Sequence, residues 1–505
     1  MRLHSLSAYA DALCSDGSPA GYYWQPAAAE SGDWIVMLLS GGWCWDAPSC
    51  EERCGGERRS SHLCSSRAWP AEREATGVLA SPHPRLGAAN KILVPYCTSD
   101  AHMGDAAAFG LEFRGAAVVR AVLHDLVTTR GLGPGARLLF GGVSAGARGA
   151  MVHLDYVRGM LPLPREARRR VEVRGLIDSA MWLDDPPLRP WASTRKSFFG
   201  LANATANVAS FANVTHLGEE CAEEHADELW RCLFGAYRLL SVRTPYLAVG
   251  SQFDTYQLDN DFGGCGHWGC RPSGPEEEAF AWRFADETAA LARSLAVGER
   301  YVYSSRCHRH ADSLGGDFFL RGCGGVSMQA ALLRLLEEPA TLPGLWIDEQ
   351  CDHFDCCCRP ADRTTATAAA ASLAAIGLCV AAYACSTRGR RTRSSRFCRA
   401  RCGGLLDRLR EARRRVAKAV CPCGRTSRHR VTEMNAALVD GAVPLGASVT
   451  DVAAALPAAP VPAAAAPPPR AVSPSPRCRS EGEGMPEGMP AVGTNGTSGP
   501  AVERV

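Results

Sequence analysis

The 505-residue chain is predicted to carry one doubly wound, mostly parallel α/β domain, rich in disulfides and followed by one transmembrane helix and a disordered tail. Three observations lead there. Short apolar runs alternate with amphipathic helical patterns from about residue 34 to 340, as strand–helix units on a parallel sheet require. Sixteen of the 23 cysteines fall between Cys14 and Cys358, a density that suits an oxidising compartment. Residues 364–387 contain no charged side chain and approach the roughly 20 residues needed to cross a bilayer.

The elements follow in order. The turn-forming Cys14-Ser15-Asp16-Gly17-Ser18-Pro19 leads into Tyr22-Tyr23 and an early strand. Trp34 to Leu39 is a continuous apolar run, the pattern of a strand buried on both faces, and it ends at Gly41-Gly42-Trp43-Cys44. Cys44, Cys50, Cys54 and Cys64 lie in a polar excursion and read as disulfides rather than a zinc site, since no histidine cluster follows. Lys91 to Cys97 is a further strand, and the loop Thr98 to Asp105, with two acids and His102, sits where α/β folds place substrate contacts. Phe113 to Thr129 has helical spacing, Leu138 to Val143 is a strand, and Ala147 to Met160 a helix. Strands ending in Asp178, near Asp254 and at Tyr303 follow, and a helix from Val326 to Leu336 closes the domain. The boundaries read as 1–362 for this domain, 364–387 for the span, 388–435 for a basic juxtamembrane segment and 436–505 for an Ala/Pro-rich tail.

The formal charge of +2 hides an asymmetry. From Arg388 onward there are 20 basic against 9 acidic residues, a net of +11, which leaves the body at −9. Arginines directly after the apolar segment put that side in the cytoplasm, hence the catalytic domain in an extracellular or lumenal setting. The sequons at Asn203 and Asn213 agree with glycosylation there, and the basic Leu405–Val420 stretch could lie on anionic lipid. No nucleic-acid partner is implied. Met1 to Leu6 shows no apolar signal core, so a leader is expected to be missing from this sequence, unless the single apolar segment directs insertion itself.

The chemistry centres on Gly142-Val143-Ser144-Ala145-Gly146. An apolar strand, a tight glycine turn and an apolar helix in that order are what a nucleophile elbow needs, which makes Ser144 the candidate nucleophile. Gly41-Gly42-Trp43 has the form of an oxyanion loop. The order serine, acid, histidine of an α/β-hydrolase-like fold is met by Ser144, Asp254 and His310, with Asp178 as a rival acid.

Six blocks then carry a family resemblance: Cys14 to Tyr23, Gly41-Gly42-Trp43-Cys44, Pro95-Tyr96-Cys97, Gly142 to Gly146, Gln252-Phe253-Asp254 and Cys307-His308-Arg309-His310. Over residues 3–358 they resemble, in sequence order, the pectin acetylesterase family, Notum-type carboxylesterases included. The resemblance implies a serine esterase with Ser144, Asp254 and His310 as its triad, His308 being the runner-up. It implies the backbone N–H groups of Gly42, Trp43 and Ala145 as oxyanion donors, and neither metal nor organic cofactor. The expected reaction is removal of acyl groups, acetyl above all, from an acylated polysaccharide. A protein fatty-acyl (palmitoleoyl) esterase and an inactive binding module are the alternatives.

Overall fold

Alternate side chains of a strand leave its backbone on opposite sides, so a continuous apolar run needs cover on both. In the computed structural model both are covered. Trp34, Val36 and Leu38 join one hydrophobic core and Ile35 and Met37 another. The neighbouring strands divide the same way, with Ile92, Val94, Leu138 and Phe140 on one side and Leu93, Leu139 and Val143 on the other. Each such side chain, fully buried, contributes about 1.5–3 kcal/mol. The structure describes residues 1–189, 198–263, 269–320, 322, 325–337, 344–349 and 353–355. The expected span at 364–387, the basic segment 388–435 and the tail 436–505 lie outside the described residues. Among the described residues no helix is long and apolar enough to cross a membrane.

The strands are β1 (Arg2–Ser5), β2 (Gly21–Gln25), β3 (Asp33–Leu38), β4 (Asn90–Val94), β5 (Ala106–Ala108), β6 (Leu111–Phe113), β7 (Arg137–Val143), β8 (Glu172–Asp178), β9 (Tyr246–Ser251), β10 (Arg300–Ser305) and β11 (Leu345–Ile347). Nine of them form one sheet in the order β1-β2-β4-β3-β7-β8-β9-β10-β11, and β5-β6 is a separate hairpin. From β4 to β11 every pairing is parallel. β1 and β2 add an antiparallel edge. Because the chain passes from β3 to β4 on one side and then returns to β7 on the other, the strand order reverses between β3 and β7. Ligands of open α/β sheets bind outside the carboxyl ends of the strands at such a reversal. The glycine-rich loop leaves β3 there and Ser144 leaves β7.

Two expectations are corrected. The helix foreseen over 147–160 is two, Ala145–His153 and Val157–Met160. The interruption presents Asp155, whose carboxylate accepts the Thr244 N–H at 2.8 Å and Arg238 Nη2 at 2.9 Å just before β9. The loop Thr98 to Asp105 is a brace rather than a substrate surface. Asp100 is buried and accepts the Gly104 and Gly115 N–H groups, and His102 Nε2 lies 3.0 Å from the Leu39 carbonyl.

The cysteine excursion after β3 is tied locally by Cys44–Cys50 and Cys54–Cys64, while Cys14–Cys97 fastens the N-terminal loop to the segment after β4 and Cys221–Cys232 closes a fourth loop. Cys270 and Cys307 are disulfide-bonded as well. Asn203 and Asn213 are both exposed. Chain-entropy arguments scale a disulfide's effect with the loop it closes, 83 residues for Cys14–Cys97 and 10 for Cys54–Cys64. Replacing both cysteines of the first by serine is expected to lower unfolding free energy by about 4 kcal/mol, and of the second by about 3 kcal/mol. Denaturant titration of the two double variants checks this, and a larger loss for the short loop contradicts it.

Candidate active site

Ser144 sits between β7 and the Ala145–His153 helix with φ +54° and ψ −118°, a conformation that L side chains rarely adopt and that costs about 1–3 kcal/mol. Its N–H donates to the Asp178 carbonyl at 2.8 Å, and its own carbonyl accepts the Arg148 N–H. Both flanking glycines are steric requirements. A Cβ on Gly142 would stand 2.3 Å from the Gly146 carbonyl oxygen, and one on Gly146 would stand 2.1 Å from that of Leu38. The turn is therefore tight enough to lift the serine clear of the sheet, and the helix leaves it in contact with β3.

Asp254 and His310 arrive from the ends of β9 and β10. Asp254 caps the Thr255–Asp261 helix: one carboxylate oxygen accepts the Gln257 N–H at 3.0 Å, and the other lies 2.7 Å from His310 Nδ1. His310 Nε2 is 2.6 Å from Ser144 Oγ. With Nδ1–H donating to Asp254, Nε2 is left to accept the serine hydroxyl. Burial opposes charge on the imidazole, yet the Asp254 carboxylate, through charge and hydrogen bond, and then Asp178 and Asp312, together raise its pKa above the ordinary value of 6.5. Asp312 itself is pushed up to about 7, first by burial and then by Asp178. The Tyr256 ring stacks on the imidazole at 5.4 Å, and its hydroxyl accepts Trp43 Nε1–H at 2.7 Å. Sequence reading missed this chain of three side chains, although Tyr256 stands only two residues past Asp254.

The rival residues are occupied elsewhere. The Asp178 carboxylate accepts the Ser313 N–H at 2.6 Å and the Ser179 hydroxyl at 3.0 Å, and Ser179 Oγ accepts the Ala311 N–H at 2.8 Å. Asp178 and Ser179 thus clamp the loop that carries His310. His308 packs against Phe354, its backbone N–H donates to Asp355, and burial, with Arg271, lowers its pKa to about 4.

Gly42 has φ +67°, which a residue with a side chain adopts only under strain. Arg53 fixes this loop by donating to the Gly41 carbonyl and, at 2.9 Å, to Ser99 Oγ. The Cys44 N–H donates to the Ser99 carbonyl at 3.1 Å. Ala145 is the first residue of its helix, where an N–H has no partner within the helix. Among the described residues no hydrogen-bond acceptor engages the N–H of Gly42, Trp43 or Ala145. The arrangement offers a serine hydroxyl, an imidazole aligned on it, a carboxylate behind the imidazole, and N–H groups without an acceptor among the described residues in the loop after β3 and at the start of the helix after the serine.

The chain is similar to known proteins on the same ground. Residues 1–264, which include Ser144 and Asp254, match the model of the pectinacetylesterase family. The palmitoleoyl-protein carboxylesterase NOTUM of Drosophila melanogaster is 33% identical over 334 residues, 63% of this chain and 46% of that protein. Its Homo sapiens counterpart is 32% identical over 268 residues, 52% of each. The chain thus spans about half the length of the curated relatives it matches. A crystal structure of the Wnt deacylase Notum from Drosophila superposes with a TM-score of 0.59 at 27% identity, over 70% of this chain and 96% of that one. With a family model matched over more than half its length, the chain belongs to the pectinacetylesterase family.

Proposed function

We propose that the protein is a serine carboxylic-ester hydrolase that removes acyl groups, acetyl foremost, from an extracellular or lumenal polysaccharide. The observation that carries the reading is His310 bridging Ser144 Oγ and Asp254 through its two ring nitrogens. Nε2 takes the hydroxyl proton as Oγ attacks the ester carbonyl, and Asp254 holds the tautomer and stabilises the imidazolium. The backbone N–H groups of Gly42, Trp43 and Ala145 receive the oxyanion, each contributing about 3 kcal/mol. The imidazolium returns its proton to the leaving alcohol, and water, activated by the same nitrogen, releases the acyl-enzyme. No step calls for a metal or organic cofactor.

A second reading, removal of a long acyl group from a protein, is supported by relatives named palmitoleoyl-protein carboxylesterases. Under either, we place the domain outside the cytosol, with the apolar segment at 364–387 as its single membrane span and the basic stretch on the cytoplasmic side.

Full-length protein is expected to hydrolyse nitrophenyl acetate, with Ser144→Ala lowering kcat roughly 10⁵-fold or more. Wild-type and Ser144→Ala rates that coincide would leave a binding module in place of an enzyme. Because only neutral His310 can act as base and its pKa is raised, kcat/KM is expected to fall on the acid side with a midpoint above 6.5. Asp254→Asn is expected to move that midpoint down and lower kcat about 10⁴-fold. A pH–rate profile whose acid limb lies below 6.5 in the wild type contradicts the coupling. In cells, glycosidase digestion is expected to shift the mobility of the wild type but not of the Asn203→Gln/Asn213→Gln double variant; an unglycosylated wild type contradicts the orientation.

A further inference from the structure

Arg148 lies one helical turn beyond Ser144 and is wholly buried. Among the described residues none of its three guanidinium nitrogens has a hydrogen-bond partner. What surrounds the cation instead is aromatic: its central carbon lies 4.2 Å from the ring centre of Trp43, 4.0 Å from that of Trp182 and 5.6 Å from that of Phe234. Arginine stacks on such faces readily, and desolvated cation–π contacts are among the few that offset burying the charge. The guanidinium is therefore fixed between two indoles. Moving it out would strip a buried charge of these contacts.

This sandwich adjoins the reacting atoms. Trp43 belongs to the oxyanion loop, and its indole N–H donates to Tyr256, the residue stacked on His310. Trp182 also packs against Tyr256, with ring centres 5.7 Å apart. An ester bound with its carbonyl oxygen on the backbone donors directs its alcohol oxygen toward His310 Nε2, which must protonate it. The alcohol half of a macromolecular ester stays at the solvent side, so the acyl half is the part that turns inward, past the Trp43 ring. There the space between Trp43 and Trp182 is taken by Arg148.

We propose that Arg148 closes the acyl end of the site and restricts the enzyme to short acyl groups. The proposal rests on the esterase reading above and separates its two substrate classes. A long hydrocarbon chain would have to displace the guanidinium from both indoles and offer it no acceptor, whereas an acetyl group ends before reaching it. Arg148 meets Ser144 only through its backbone N–H, which a substitution keeps. Among the described residues its side chain hydrogen-bonds neither the serine hydroxyl nor His310, so the guanidinium acts on selectivity rather than on the chemical step.

The test is the chain-length profile of kcat/KM on nitrophenyl acetate, butyrate and octanoate, with full-length wild type, Arg148→Ala and Arg148→Met. Wild type is expected to favour acetate over octanoate by about tenfold or more, and Arg148→Ala to raise the octanoate-to-acetate ratio at least about tenfold. Arg148→Met, which keeps the length of the side chain, is expected to hold the ratio within about threefold of wild type. A wild-type preference for octanoate overturns the proposal whether or not the variants fold. So does an unchanged ratio in an Arg148→Ala protein that unfolds cooperatively, or a shift in Arg148→Met as large as in Arg148→Ala. Absence of Ser144-dependent hydrolysis of all three esters overturns the esterase reading and this proposal with it.

Discussion

One buried carboxylate residue ties the two halves of the site together. The backbone carbonyl of Asp178 receives the N–H of Ser144, and its side chain receives the N–H of Ser313, three residues after His310. Ser179 adds the N–H of Ala311. The strained serine and the loop bearing its base are thereby referred to the same two residues at the end of β8, the strand next to β7 in the sheet. A loop held by two hydrogen bonds on either side of one residue can keep an imidazole at 2.6 Å from a hydroxyl without relying on the imidazole's own bonds. The cost appears as the raised pKa of Asp178, which burial imposes and the Ser313 and Ser179 bonds only partly relieve.

That Ser144, Asp254 and His310 would meet was legible because each stands just past an apolar run, and parallel strands deliver their carboxyl ends to one edge. Position favours Asp254 over Asp178, which lies only one strand after the nucleophile, but both follow a strand and both are acids. What separates them is the imidazole held by Asp254 and the loop clamped by Asp178, contacts that join residues 56 and 135 positions apart. The family blocks point to the same acid as the strand count.

Other features left little trace in the chain. β1 is four residues long and half-exposed, so it has no apolar signal, and its antiparallel pairing with β2 comes from tertiary context. The 21-residue helix Pro275–Leu295 buries Phe280, Phe284, Thr288 and Leu295 on one face. Sequence reading left it unmarked, its apolar spacing being broken by Glu276, Glu277, Glu278, Asp286 and Glu287. Arg148 follows the elbow in a run of small residues, where an arginine reads as surface; only the fold brings Trp43 and Trp182 to it. Disulfide connectivity depends on distances between loops, which spacing along the chain does not encode.

The parallel sheet has a further meaning for how such a molecule comes into being. Ser144 and His310 are 166 residues apart, and the strands that deliver them are separated in the sheet by β8 and β9. Contacts this distant in sequence carry a loop-closure cost, and their alignment needs β8 and β9 in place between β7 and β10. No partial product of synthesis holds a serine aligned on a base. The aligned serine, imidazole and carboxylate therefore appear together with the finished sheet rather than before it.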